Sequence, residues 1–425
     1  MFHSIKTTLF ILLVSQTVCA QTQDGLSLNE LIQEALDNNP QLHSARHQAD
    51  AAKAQIKQVT SLDAPQVGIE FYQTPIQSFP IATKNSMETD YFVQQMFPWP
   101  GKLSGMGKIA ENNVAMKEQE SKALDKKIIR DLKSAYYELY LVQRKMEING
   151  ENKRIMQKII DIALKQYEVG AGNQSDILRA QTELTKLTNE SFLLEREKGI
   201  TEAMINTLIS RPANQPLGRI AELEIHDVKV GFDPLVAIAE DNRAELKAMG
   251  YNIEMFKSEQ ALAKREFYPD IMVRGMYKNM SNTSKDFWSL MIGFNVPIAF
   301  WSKNRYQGKV NEFGKHINHA EMEYRDTKNM IGNDIQNALV IMESSRKQAD
   351  EIKRHLIPQA EATLEATLAS YQSGKTSFIM ALDSYRMLLM AKLDYSMSVM
   401  NTAVSEAQLE QAVGLSMNEI KERLK

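Results

Sequence analysis

Thioether side chains are unusually frequent, since 23 of the 425 residues are methionine. Thioether sulfur binds soft cations such as Cu(I). Met387, Met390 and Met397 recur at helical spacing, and we expect them to fill a helix core, because methionine adapts to irregular packing. A second set is spaced for one face of β-strands and comprises Met272, Met276 and Met291. Packing is also expected there, with contact to a soft cation as the alternative.

Imidazole side chains form two pairs that could each bring two ring nitrogens together. His43 and His47 are separated by one helical turn, as are His316 and His319. Neither pair has a carboxylate or cysteine at a ligand-like spacing. We therefore interpret them as exposed helix residues and predict no stoichiometric metal.

Catalytic motifs are absent from the sequence. It has no GxSxG, HExxH or GxxxxGK[ST] pattern, and its glycines cluster at expected turns. Fifty basic and fifty-three acidic residues are interspersed, with a net charge of −3, which does not favour nucleic-acid binding. We predict a protein that is not an enzyme and needs no cofactor.

The first twenty residues have the pattern of a secretory signal peptide. Lys6 precedes an apolar run, and the segment Val18-Cys19-Ala20 precedes Gln21. Thr17 and Val18 disfavour lipid attachment at Cys19, the only cysteine, so residues 21–425 would contain no thiol and no disulfide. No later run of 18 apolar residues occurs, which leaves a barrel as the membrane-spanning alternative.

An internal repeat divides the rest of the chain. YEVGAGNQSDILRAQTEL at 167–184 resembles YQSGKTSFIMALDSYRML at 371–388, 204 positions later. The same offset relates Leu31 to Leu235 and Pro65 to Pro269. We predict repeats at 21–218 and 219–425, joined near RPANQPLG at 211–218. Each should contain a helix, a hairpin, a long helix, a turn at 168–175 or 372–377, and a return helix.

Long helices dominate the predicted architecture. From Lys102 to Tyr167 there is no proline, and apolar residues recur at alternating spacings of four and three. About 66 residues at ~1.5 Å each give a coiled-coil rod on the order of 100 Å. The second half repeats the pattern, but Pro358 is expected to interrupt its rod. If only the helices are considered, a fibrous or spacer protein explains the pattern equally well.

Two predicted hairpins, at about 64–98 and 269–297, argue against a spacer. In WSLMIGFNV at 288–296, apolar residues alternate with small or polar ones, as in a strand between lipid and a wet lumen. Four strands cannot close a barrel, since the smallest have about eight, and open edges are excluded from lipid. Two copies would give eight strands and three would give twelve. A soluble hairpin pair packed on helices is the alternative.

Over nearly its full length the chain resembles the TolC-type outer-membrane efflux family. The matching motifs are the duplicated turns and the strand-to-helix passages QQMFPWPGKL at 94–103 and GFNVPIAFWSKNRYQGKV at 293–310. The resemblance implies a mainly α fold of duplicated halves that forms a homotrimer. The trimer would have a twelve-stranded barrel in outer-membrane lipid and a helical tunnel in the periplasm.

Functional positions follow from that resemblance. A periplasmic gate would involve Asp176, Tyr371 and Asp383, although Thr376 and Met380 replace charged residues of the family's closing network. Alternation along the predicted strands, rather than the resemblance, indicates the residues that would face the barrel lumen: Met272, Met276, Ser289, Met291 and Asn295. Turns that would dock on a periplasmic adaptor contain Val169, Gly170, Ala171, Ser175, Ser373, Gly374, Lys375 and Ser377.

The implied activity is that of a passive exit duct. An adaptor (membrane fusion) protein would link it to an inner-membrane pump of RND type. PWPGK resembles the heavy-metal branch of the family, so metal cations are the expected cargo. The alternatives are a multidrug or type I secretion exit channel and, from another class, a periplasmic coiled-coil adaptor.

Overall fold

The computed structural model describes residues 26–83, 85–223, 230–281, 285–297 and 299–424. The expected signal peptide and Cys19 lie outside these residues. As predicted, the fold is mainly helical with one small antiparallel sheet. Among the described residues, no helix is both long and apolar enough to cross a membrane.

The first half begins with two short helices, α1 (Leu28–Asn38) and α2 (Pro40–Thr60). Asn39 caps α2, and Pro40 occupies its first turn, where the missing N–H has no consequence. After the hairpin come two long helices. The strands and long helices of this half are β1 (Gln66–Tyr72), β2 (Glu88–Phe97), α3 (Lys102–Glu168) and α4 (Gln174–Leu208).

The second half repeats this order. Its first helix, α5 (Phe232–Asn242), begins and ends 204 positions after α1. The other elements are α6 (Ala244–Arg265), β3 (Ile271–Met280), β4 (Phe287–Phe294), α7 (Lys303–Glu351), α8 (Ile357–Gln372), α9 (Phe378–Val413) and α10 (Met417–Arg423). A capping box between Ser416 and Glu419 starts α10.

The second rod is not broken at Pro358, contrary to expectation. A five-residue π-helical turn, Ile352–Leu356, joins α7 to α8 with helical backbone angles throughout. This wide turn precedes the proline, whose missing N–H and bulky ring disfavour a regular α-turn. It also adds one residue to the second rod relative to the first. Before the turn, buried Leu132 corresponds to Ile335, 203 positions later. Beyond the turn, Gly170 corresponds to Gly374, 204 positions later.

Among the described residues, the core consists of three buried clusters along the rods. The first and third contain equivalent residues, such as Leu31 and Leu42 in one and Leu235 and Leu246 in the other. The second cluster lies toward the turns and contains Met156, Ile159, Tyr371, Tyr385 and Leu388, among others. The duplicated hydrophobic pattern therefore produces duplicated packing.

Candidate channel, gate and docking surfaces

One face of the sheet is apolar and uncovered in the single chain. Strand order is β1-β2-β3-β4, and the register pairs Leu290 with Gly275 and Ile292 with Val273. Leu290 and Ile292 are each 58 % exposed, and Trp288 is 80 % exposed. Val67, Ile69 and Val93 continue this face on β1 and β2. Such a surface suits lipid better than water.

The opposite face carries ion pairs and the predicted lumen residues. Met272, Met276, Ser289 and Met291 share this face, because cross-strand partners in the register point to the same side. The Arg274 guanidinium lies 2.9 Å from a Glu70 carboxylate oxygen, and Lys278 Nζ lies 2.5 Å from Glu88 Oε1. Asn295 falls just beyond β4, where its Oδ1 accepts a hydrogen bond from the Asp270 N–H.

The PWPGK motif lies in the passage from the end of β2 to the start of α3. Gly101 has a φ of +92°, which favours glycine, and Lys102 begins α3. Lys102 is 6 % exposed, and its Nζ lies 2.7 Å from Asp270 Oδ1 at the start of β3. Trp99 stacks on Tyr268. The motif thus joins the two repeats, and its lysine is not available to a cargo.

The turns between the long helices have the same geometry in both halves. Gly170 N–H donates to Tyr167 O and Ala171 N–H to Gln166 O, while Gly374 and Lys375 repeat the pattern 204 positions later. These bonds form Schellman motifs, in which the glycines adopt φ of +74° and +71°. All eight residues predicted for docking are exposed. The Gln166 amide also donates to Gln372 O at 2.5 Å, which ties the turns together.

Valine at both glycines should disrupt these turns. The left-handed conformation costs a residue with a Cβ roughly 1–2 kcal/mol, and more when the side chain is β-branched. We expect Gly170→Val with Gly374→Val to lower adaptor capture in pull-down at least tenfold. Gly150→Val is a matched control, since that helical glycine has open space around it. Unchanged capture by the double variant would contradict a docking role for the turns.

Two of the predicted gate residues interact close to the turns. Tyr371 is 6 % exposed, packs edge-on against Phe378, and has no hydrogen-bond partner for its hydroxyl among the described residues. Burial raises the pKa of Tyr371, and the nearby Asp176 charge raises it further. Tyr371 is therefore part of the second core cluster, with Asp176 beside it.

Asp383 lies on the exposed side of α9, with a side chain that is 65 % exposed. It belongs to a stripe in which exposed residues recur at heptad spacing. This methionine stripe comprises Met380, Asp383, Met387, Met390, Asp394 and Met397. The expectation that Met387, Met390 and Met397 fill the core was wrong within this chain. Met390 is 63 % exposed, because Ala381, Tyr385 and Leu388 occupy the buried face of α9.

An ion pair that the sequence analysis missed connects α4 to α9 beside Asp383. Arg386 Nη2 lies 2.7 Å from Glu183 Oε1, and Lys186 Nζ lies 3.0 Å from the same oxygen. Burial tends to raise the pKa of Glu183, but the hydrogen bonds from Lys186 and Arg386 hold it below its usual value. The repeat gave no signal for this pair, because its offset of 204 positions in the return helices makes Met387, and not Arg386, the equivalent of Glu183.

Metal-binding clusters of three or more histidine, cysteine or acidic side chains do not occur in the described part of the chain. On α7, His319 lies 3.4 Å from Glu323 and His316 lies 3.9 Å from Glu312, each pair separated by one helical turn. His316 also stacks on Phe256. Packing and single carboxylates thus account for the environment of this histidine pair.

Comparison with known proteins gives one family for both halves. The family model described as "Outer membrane efflux protein" matches residues 31–209 and 235–415. A solved structure of CusC superposes with a TM-score of 0.79 at 18 % identity and covers 92 % of each chain. The shared fold includes the long helices and the small sheet.

Two curated relatives are similar at low identity. The cation efflux system protein CusC of Escherichia coli strain K12 is 22 % identical over 391 residues, which cover 84 % of this chain and 80 % of that protein. Nodulation protein T of Rhizobium leguminosarum bv. trifolii is 22 % identical over 312 residues, covering 69 % of this chain and 64 % of that protein.

Proposed function

Because the chain belongs to the outer membrane efflux protein family, whose members are channels rather than enzymes, we propose that three copies assemble into one exit duct. Each copy contributes β1 to β4 to a shared twelve-stranded barrel and α3, α4 and α7 to α9 to a periplasmic tunnel. The observation that carries the proposal is the uncovered apolar sheet face opposite an ion-paired face.

The edges of the sheet support association. β1 and β4 are the outer strands of the four-stranded order within the described residues. Unpaired backbone groups at a strand edge are costly in lipid, so each edge needs a neighbour. Pairing β1 of one copy with β4 of the next removes both edges in a closed ring.

Efflux channels of this family work with a periplasmic adaptor and an inner-membrane pump. We infer that the exposed turns at 168–175 and 372–377 contact the adaptor and that the pump is of RND type. The paired Schellman motifs support the first inference, because they present two similar surfaces at one end of the rods.

We infer that the cargo is metal cations. The methionine stripe supports this, since it combines thioether sulfurs with the carboxylates of Asp383 and Asp394 on an exposed helix face. A relative named as a cation efflux protein supports the same class. Weak contacts suit a duct, because a tightly held ion would leave slowly.

Asp383 provides a test of the gate. With three copies near one axis, its carboxylates would concentrate negative potential and favour cations. We expect Asp383→Asn to lower the K⁺/Cl⁻ permeability ratio by about half in planar bilayers. Asp161→Asn is the control, because Asp161 lies on α3 and accepts a hydrogen bond from Gln157. Equal ratios for both variants would remove Asp383 from the gate.

Deletion of the gene tests the cargo. Loss of a metal duct should lower the inhibitory concentration of copper, zinc or cobalt several-fold and leave that of bile salts unchanged. Greater sensitivity to bile salts would instead identify a multidrug duct. Recovery of the protein in the soluble periplasmic fraction, without conductance after purification, would contradict the channel and favour an adaptor.

A further inference from the structure

Charged side chains in the sheet lie on one face only. Among the described residues, the four strands contain five of them: Glu70, Glu88, Asp90, Arg274 and Lys278. The register pairs Glu70 with Asp90 and Asp90 with Lys278. Glu88 and Arg274 are an even number of residues away on the same strands, so all five share the face of Met276. The opposite, apolar face has no charged residue within these strands.

These charges gather in the part of the sheet that is nearer the hairpin turns. Closer to the helices, the same face carries uncharged residues, which are Gln66, Gln94, Met96, Met272 and Met291. Arg274 begins at that level, opposite Gln94, but its guanidinium lies 2.9 Å from a Glu70 carboxylate oxygen. We call the five charged side chains together the lumen band.

Phe92 supports the guanidinium of Arg274 on its way to Glu70. The Arg274 Cζ lies 3.8 Å from the centroid of the Phe92 ring, a distance at which a cation is attracted to an aromatic face. The ring itself lies against Gly68, where an added Cβ would be 2.5 Å from Phe92 Cζ. Glycine thus leaves the space in which the ring rests. We interpret Phe92 as a positioning residue for Arg274.

Carboxylates outnumber cations in the lumen band. Lys278 Nζ lies 2.5 Å from Glu88 and 3.2 Å from Asp90, so one cation serves two carboxylates. The remaining pair is unequal in exposure, since the Glu70 side chain is 51 % exposed and that of Arg274 is 21 % exposed. The surface that the band offers to a passing ion is therefore mainly that of a carboxylate.

We propose that the lumen band is a second cation-selective zone of the channel, in which Glu70 favours cations and Arg274 limits that preference. The proposal rests on the twelve-stranded duct, because three copies would place the band around one pore, where a charged ring selects ions by sign. Asp383 lies beside the turns at the far end of the rods, which are on the order of 100 Å long. Since charges are screened over about 8 Å at physiological ionic strength, the two zones act independently.

A cysteine at position 70 tests the band in the intact channel. Glu70→Cys should lower the K⁺/Cl⁻ permeability ratio in planar bilayers about twofold, because Arg274 then lacks its carboxylate. Residues 21–425 contain no other cysteine. Sulfonatoethyl methanethiosulfonate adds a negative charge to this thiol and should return the ratio to near the unaltered value. Methyl methanethiosulfonate adds no charge and should leave the ratio low.

Arg274→Gln should change the ratio in the opposite direction. Removal of the guanidinium leaves Glu70 uncompensated, so the K⁺/Cl⁻ ratio should rise about twofold. Gln94→Met is the matched control, because Gln94 is the cross-strand partner of Arg274 and the change alters no charge. Its ratio should equal that of the unaltered protein.

Phe92 variants test the positioning role. Phe92→Leu removes the stacked ring and lets Arg274 extend toward the pore axis, so the ratio should fall about 1.5-fold. Phe92→Tyr keeps the aromatic face and should keep the ratio. In an Arg274→Gln background, Phe92→Leu should have no further effect, which a purely structural role would not explain.

The outcomes separate this proposal from the exit duct itself. If the unaltered protein conducts but Glu70→Cys and Arg274→Gln leave the ratio unchanged, the band is not selective and the duct remains. Failure of the sulfonate to reverse the effect of Glu70→Cys would also overturn the band, and this comparison needs only one variant. Absence of any conductance in the unaltered protein would contradict the duct, and the band with it.

Discussion

Leu290→Arg should prevent assembly of the protein in the outer membrane. Leu290 lies near the middle of β4 on the apolar face and is 58 % exposed in the single chain. An arginine at the midplane of a transmembrane strand costs about 2–4 kcal/mol, and an assembly of three chains would contain three. We expect the amount recovered in outer-membrane fractions to fall at least tenfold by immunoblot.

The adjacent residue provides the matched control. Met291 is 46 % exposed and points to the opposite face, where its cross-strand partner is Arg274. Met291→Arg should be recovered at near the unaltered level, because that face is proposed to border water. If both variants assemble equally well, the apolar face does not contact lipid and the barrel proposal is wrong.

Arg386→Ala should increase the open time of the channel. The Arg386–Glu183 pair joins α9 to α4 beside Asp383, close to the proposed periplasmic entrance. The Arg386 side chain is 47 % exposed, so the pair contributes at most about 1 kcal/mol in each chain. Three chains together would shift the open-state population by up to about a hundredfold. Single-channel recording in planar bilayers measures this population.

A double-mutant cycle tests whether the two side chains act through each other. Glu183→Ala should resemble Arg386→Ala, and the double variant should be no more open than either single variant. Lys347→Ala is the control, because it breaks a pair with Glu343 inside one helix. Additive effects of Glu183 and Arg386, or an effect of Lys347, would show that the pair does not hold the gate.

The pH dependence of this pair follows from the lowered pKa of Glu183. A carboxylate whose pKa is lower in the folded protein stabilises the fold above its unfolded pKa. That stabilisation is lost as the pH falls through the pKa that the carboxylate has in the folded protein. The pair should therefore persist at neutral pH and weaken only in strongly acidic solution, below the usual range of a glutamate.

Elements governed by local periodicity were predictable from the sequence. The heptad seam indicated the long helix α3, which ends at Glu168, one residue beyond the expected Tyr167. Alternation indicated the strands, but their ends differ by about two residues, because a strand ends where hydrogen bonding to its neighbour stops rather than where side chains cease to alternate. Gly170 and Gly374 were predictable as turns because few other residues adopt φ above zero.

Features that depend on neighbouring helices were not predictable in this way. Pro358 indicated a break, but the rod continues through the π-turn Ile352–Leu356, which is flanked by buried Ala349 and Ala360. Methionine at helical spacing fits either face of α9, and only the positions of Ala381 and Leu388 determine which face is buried. The Glu183–Arg386 pair joins residues 203 positions apart, and its formation depends on how α4 and α9 lie across the bundle.

The mass of the assembled particle tests the central claim most directly. Protein extracted from the outer membrane in mild detergent can be measured by native mass spectrometry, which removes the detergent from the mass. The exit-duct proposal predicts a particle of three chains, because three sets of β1 to β4 close one ring. A monomer or a dimer in this measurement would contradict it.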